Sequence, residues 1–171
     1  MRDYAYFWQW CLKIWRAPDV EGALLELQTT HDAVVLELLM ATWLAVEGLT
    51  LDARALAAMR AISQRWVQGV VVPLRQQRVA WRLEPDAQVC RAAIKELELR
   101  AEKALGELLY SALQGSLALA PVVEDYGRQG VDREALLHNL SMVLDDVQPP
   151  IEPQAVEKFV TLLAASAERL S

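Results

Sequence analysis

The sequence predicts an all-α protein, a compact bundle of six or seven helices with a long, proline-kinked basic central helix. Three observations carry this. Leu, Ala, Glu and Arg dominate the 171 residues, while Gly and Pro number only seven each, a composition of helix formers. Apolar residues recur at steps of three and four along most of the chain. No strand-like alternation, internal repeat or low-complexity run interrupts that period. The length suits one domain over 1–171, large enough to bury a substantial core.

Tyr4–Trp15 reads as the first helix, with Phe7, Cys11, Ile14 and Trp15 on a stripe, Trp8 and Leu12 beside it, and Trp10 off it. Ala17-Pro18-Asp19 stops this helix and caps the next, Val20–Thr29, which buries Val20, Ala23, Leu24 and Leu27. His31-Asp32 marks a junction, and Asp32 is expected to cap a third helix running to Glu47. Val35, Leu38, Leu39, Thr42, Trp43 and Val46 form its inward set, and Gly48 supplies the left-handed C-cap. Glu37, one position off that stripe, reads as a core-edge carboxylate paired with an arginine or as a site carboxylate.

The stretch from Leu51 to Leu83 organises the rest. Thr50 or Asp52 caps it, and Leu56, Met59, Ile62, Trp66, Val70 and Leu74 mark its apolar face. Pro73 lacks the amide proton and crowds the carbonyl of Gly69, so a kink or short break is expected there. Arg54, Arg60, Arg65, Arg75, Arg78 and Arg82 fall between residues 53 and 83 without a carboxylate, in a chain of net charge −6. Arg75, Arg78 and Arg82 share one helical face.

Glu84-Pro85-Asp86 is a tight break before a long helix, Asp86 to about Leu113. Val89, Ala93, Leu97, Ala101, Ala104, Leu108 and Ala112 form its apolar stripe. If the turn is short, this helix lies antiparallel to the basic rod. Glu96, Glu98, Glu102 and Glu107 are then natural partners for the arginines, which favours internal pairing. The competing reading has Arg75, Arg78 and Arg82 offering guanidinium forks to a phosphate, a nucleic acid or an acidic partner. Gly115 to Gly130 reads as irregular. Asp132 caps a helix to Leu144 with Leu136, Leu137, Leu140 and Val143 inward, Pro149-Pro150 makes a stiff connector, and Pro153 starts a last helix to Leu170 burying Val156, Val160, Leu163 and Ala164.

Several segments together resemble a known family. They are Phe7-Trp8-x-x-x-Leu12, Ala17-Pro18-x-Val20, Leu27-Gln28-x-x-His31, Trp43-Leu44-Ala45, Trp66, Val71-Val72-Pro73-Leu74-Arg75-x-x-Arg78 and Lys95-Glu96-Leu97-Glu98 with Ala101-Glu102. The chain is similar over about residues 5–113 to small proteobacterial proteins catalogued as a domain of unknown function, leaving 131–171 as a C-terminal helical extension. The resemblance implies an all-α cytoplasmic protein with no established activity. Where this chain has Val34-Val35-Leu36, such proteins tend to carry Asp-Val-Asn.

Chemistry is sparse. The two histidines, His31 and His138, and the two cysteines, Cys11 and Cys90, lack metal-ligand spacing, so no metal or cofactor is expected. No glycine-rich phosphate loop or Gly-x-Ser-x-Gly motif occurs. The acid pairs Glu124-Asp125 and Asp145-Asp146 are adjacent, about 100° apart on a helix, which suits caps or solvated surface better than a shared metal. With no apolar run of about 18 residues and no leader pattern, a cytoplasmic protein without a membrane partner is expected.

The leading functional expectation is a non-enzymatic protein-interaction or adaptor protein using an arginine-and-aromatic face: Arg75, Arg78, Arg82, Trp81 and Trp10. The overall acidity sets nucleic-acid or ribosome association through the same arginines second. An enzyme or sensor with an anionic small-molecule pocket, using His31, Arg75 and Arg78, stands third. Self-association is compatible with the high apolar fraction, 54%.

Overall fold

The computed structural model describes residues 2–116 and 131–170. Among these it contains no strand and eight α-helical segments, two of which join into one rod, and the helices pack as a compact bundle. Of the stretch from Gly115 to Gly130 expected to be irregular, Gly115 and Ser116 instead end a helix, and residues 117–130, with the Glu124-Asp125 pair, lie outside the described residues.

The first helix, α1 (Tyr4–Trp15), is N-capped by Asp3, whose carboxylate accepts the Tyr6 amide proton at 2.8 Å. It buries Phe7, Trp10, Cys11 and Ile14. Trp10 is therefore core and offers nothing to a partner. Aromatic neighbours lie on two sides of α1: Trp43 sits 5.2 Å from the Trp10 ring, and Tyr110 sits 6.2 Å from Phe7. The buried arc is shifted from the expected stripe toward Trp10, and Trp15, Trp8 and Leu12 are only half-buried.

In α2 (Val20–His31) the inward set is Val20, Leu24 and Leu27. Asp32 does not cap the third helix. It closes α2 instead, in the left-handed region at φ 52°, with its amide donating to the Leu27 carbonyl. The third helix, α3 (Val35–Val46), starts with no side-chain cap, and every residue from Leu36 to Ala45 is buried. Hydrophobic all round, α3 is the helix that the others enclose. Gly48 ends it at φ 70° as expected.

The basic rod is α4 (Ala53–Trp66), a π-helical turn (Val67–Val71) and α5 (Val72–Ala80). Asp52 is the N-cap, accepting from Ala55 N at 2.7 Å. The irregularity falls in the π turn, where Val72 N–H reaches back to Val67 O. Pro73 follows it near the start of α5, where a missing N–H costs least. The extra residue of the π turn rotates the face, so Val71 rather than Val70 is buried.

After a 3₁₀ turn at Pro85–Ala87, α6 (Gln88–Ser116) returns along the rod. Its enclosed positions are Glu98, Ala101, Leu105, Gly106, Leu109, Tyr110 and Leu113. The expected stripe is mostly outside: Val89, Leu97 and Leu108 are exposed. The inward face lies roughly a third of a turn away because an ion-paired carboxylate, Glu98, occupies it against α5.

Capped by Asp132, α7 (Arg133–Leu144) packs on α3 and on α8 (Pro153–Glu168). Asn139 is fully buried and holds the α3–α4 junction. Its Oδ1 accepts Leu51 N–H at 2.7 Å, and its Nδ2 donates to Ala41 O and Leu49 O at 3.1 and 3.0 Å. His138 Nε2 donates to Leu51 O at 2.9 Å. Leu137, expected inward, is exposed, since the α7 face directed at the core is Ala135, Leu136, Asn139, Leu140 and Val143. One continuous core joins α1 to α4, the C-terminal half of α6, α7 and α8; no residue between Val67 and Leu105 contributes to it.

Candidate protein-interaction site

That gap in the core defines the site. From Val72 to Leu97 not one residue is buried, yet both arms of this stretch are regular helix. A helical hairpin that buries so little apolar surface needs another source of order, because isolated helices of this length are marginal in water.

Polar contacts supply it. At the root, Trp66 Nε1 donates to Ala101 O at 2.9 Å. Higher up, Glu98 receives both neighbouring arginines. Arg75 Nε donates to its Oε1 at 2.9 Å, Arg78 Nε donates to Oε2, and Arg78 Nη2 reaches Oε1 at 3.2 Å. Arg75 Nη2 also reaches Glu102 Oε1 at 3.1 Å. Nearer the tip, Arg91 Nε donates to Arg78 O at 3.2 Å, and Gln88 Nε2 donates to Trp81 O and Glu84 O at 3.3 and 2.7 Å. Each bond joins a residue of the ascending arm or turn to one of the descending arm, so the two arms are laced along their length.

The clamp is electrostatically settled. Burial pushes the Glu98 carboxyl upward, but hydrogen bonds from Arg78 and Arg75, and then their charges, outweigh it and hold its pKa below the ordinary value. The Arg78 pKa is raised, chiefly by its hydrogen bond to Glu98. Burial raises Glu102 above the ordinary carboxylate value, with the Arg75 charge opposing. Charge-assisted bonds of this kind contribute about 1.5–3 kcal/mol each.

What the hairpin presents outward is apolar. Leu83 is 87% exposed at the turn, and Val79 is 58% exposed on the last turn of α5. Trp81, half-buried, lines a shallow hollow with Ala80, Glu84, Asp86, Ala87 and Cys90. Arg82 is exposed and has no ion pair among the described residues.

The residues singled out in the sequence are therefore dispersed. Arg75 and Arg78 are spent in the clamp, whereas Trp81 and Arg82 reach the tip. Trp10 is in the core. His31, at the end of α2, donates Nδ1–H to the Pro149 carbonyl at 2.6 Å, and shares no partner with Arg75 or Arg78. The internal pairing of the arginines was readable from the acids one helix away, although only Glu98 and Glu102 are used; Glu96 lies 3.7 Å from Arg100 on its own helix. Leu83 and Val79 were missed, since a period in hydrophobicity reports a face and cannot say whether anything covers it.

Elsewhere, Glu37 is buried and accepts from Ser63 Oγ. Burial raises its pKa, with the Ser63 hydrogen bond and the Arg60 charge opposing. Arg60 binds the carbonyls of Met142 and Val143 at 3.1 and 3.2 Å and pairs with Asp146, which ties the rod to the end of α7. No group of three or more His, Cys, Asp or Glu side chains placed to hold a metal ion occurs among the described residues. Among them, no helix is long and apolar enough to cross a membrane.

Fold and site thus define an all-α protein with a polar-clamped helical hairpin standing off its core. The chain belongs to the family described as Protein of unknown function (DUF2390), which matches residues 6–109. No curated protein and no solved structure matches it. The family match takes in most of α1, all of α2 to α5 and most of α6, hence the whole hairpin, while α7 and α8 lie beyond it.

Proposed function

We propose that this is a non-enzymatic binding protein of the bacterial cytoplasm that engages a partner protein through the tip of the α5–α6 hairpin. One observation carries the reading: a stretch that gives nothing to the core is nevertheless laced by hydrogen bonds and ion pairs between its two arms, and it exposes Leu83, Val79 and part of Trp81 beside Arg82, which has no ion pair among the described residues. Interface hot spots are enriched in tryptophan and arginine, which Trp81 and Arg82 supply here, with Leu83 and Val79 as apolar surface beside them, and prior ordering lowers the entropy lost on binding. The free cysteines Cys11 and Cys90 fit a reducing compartment. Nucleic-acid association draws less support, because Arg75 and Arg78 already engage Glu98.

Affinity purification from the native host tests this. The wild-type chain should retain a defined protein that both Leu83→Asp and Arg82→Glu release while far-UV circular dichroism stays unchanged. Retention by both variants would refute the assignment of the tip.

A further inference from the structure

A different surface, the outer side of α6, has an occupant that its own residues specify. Val89, Ala93, Leu97, Ala104, Leu108 and Ala112 follow a helical period, and the first five fall within an arc of about 100°. Such a stripe ordinarily marks the buried side of a helix. Here the inward side is the separate set Glu98, Ala101, Leu105 and Leu109, while Val89 is 83%, Leu97 50% and Leu108 39% exposed. Ala93 is exposed as well, and Ala104 and Ala112 are half-buried. Thus α6 has two apolar faces and the described residues cover one.

We propose that the uncovered face pairs with the same face of a second copy, the two α6 helices running antiparallel about a two-fold axis between Arg100 and Ala101. A two-fold interface must be complementary to itself. Reversing α6 about that point sets Val89 opposite Ala112, Ala93 opposite Leu108 and Leu97 opposite Ala104. A large side chain meets an alanine each time, which lets the axes approach to about 8 Å. A parallel pairing would set Leu97 on Leu97 and Ala93 on Ala93, clashing at one level and leaving a void at the next. Arg100, nearest the axis, faces its own copy, but Glu96 on the same helix lies 3.7 Å from it and tempers that repulsion; Lys103 and Glu107 complete a rim of mixed sign.

The stripe is about 35 Å long at 1.5 Å per residue. At a helix diameter of about 10–12 Å it covers on the order of 400 Å² per copy, about half of what a standard interface buries on each partner. The dimer is accordingly weak and concentration-dependent. Leu83, Val79, Trp81 and Arg82 are not part of the stripe, so this inference does not rest on the partner-binding reading.

Sedimentation equilibrium of the full chain over a concentration series reads the mass directly. It should climb from 19.2 kDa toward twice that value. Leu97→Glu should hold it at the monomer, and Ala104→Leu, which puts large against large, should weaken association at least about tenfold. Both variants should keep the wild-type helical signal. Register is tested separately: Ser111 is exposed and falls opposite the exposed native Cys90 in the antiparallel pair. Ser111→Cys should therefore form an intermolecular disulfide with Cys90 under mild oxidation. A wild-type chain that stays monomeric throughout, a Leu97→Glu chain that dimerises equally well, or Cys90–Cys90 as the dominant cross-link would overturn the proposal.

Discussion

Replacing Glu98 by Gln tests how the hairpin is held. The substitution keeps the shape of the side chain and removes its charge, so Arg75 Nε and both Arg78 donors lose an anionic acceptor, while Arg75 Nη2 keeps Glu102 at 3.1 Å. Three charge-assisted bonds at about 1.5–3 kcal/mol each set an upper bound. The Arg75 and Arg78 side chains remain 29% and 25% exposed, so water re-solvates part of what is lost, and the net cost falls to about 2–4 kcal/mol. Because residues 72–97 bury nothing in the core, this loss should be local. Hydrogen exchange read peptide by peptide should show protection in the hairpin falling by about 30- to 1,000-fold, at tenfold per 1.4 kcal/mol, with α3 unchanged. Equal loss in α3 would mean that the hairpin unfolds only with the core. Unchanged hairpin exchange would mean that the clamp does not hold it. The pH dependence has a definite sign. With its folded-state pKa lowered, Glu98 contributes fully above the ordinary carboxylate value and loses that contribution only as pH falls through the lowered one. Wild-type hairpin protection should thus persist through neutral and mildly acidic pH and fail only once the pH has fallen below the ordinary carboxylate value.

Asn139→Ala orphans the Leu51 amide and the carbonyls of Ala41 and Leu49 at a fully buried site. It should cost about 3–5 kcal/mol, seen as a lower urea midpoint at unchanged slope; a loss under about 1 kcal/mol would contradict the junction's role. Gly22→Ala, in the first turn of α2 with nothing within 4 Å of the new methyl, should raise stability by about 0.5 kcal/mol. Gly106→Ala meets Tyr4 Oη at 3.2 Å, and that hydroxyl donates to Lys103 O, so thermal melts should show no such gain and a net loss. Burial raises the Glu37 pKa, so the folded chain holds that proton more tightly than the unfolded one, and stability rises as pH falls through the raised value toward the ordinary one. Glu37→Gln should flatten the part of the stability–pH curve lying between those two values; an unaltered curve would show that Glu37 does not titrate there.

The helices were legible because their apolar periods are long and their breakers are unambiguous. Pro18, Gly48, Pro85 and Pro153 each stand at an element boundary. Errors arose where tertiary context decides. Asp32 lies between two helices, and only packing determines that it ends α2 rather than opening α3. One additional residue in the π turn moves burial from Val70 to Val71, a shift that no hydrophobic pattern encodes. Asn139 and Ser63 are polar residues on inward faces, and their partners lie far away in sequence. The stripe on α6 is apolar as its period predicts, yet the described residues leave Val89, Leu97 and Leu108 exposed. For the candidate site the same logic holds: opposite charges on adjacent antiparallel helices forecast the clamp, whereas exposure at Leu83 and Val79 depends on the hairpin outreaching the core, which is a property of the assembled bundle.

The most direct measurement places a photo-activated cross-linking residue at position 83, in the native host, with position 25 on α2 as an exposed apolar control. The account predicts a discrete protein adduct from position 83 that is absent from position 25 and vanishes when Arg82→Glu is added. The same adducts from both positions, or none from position 83, would contradict it.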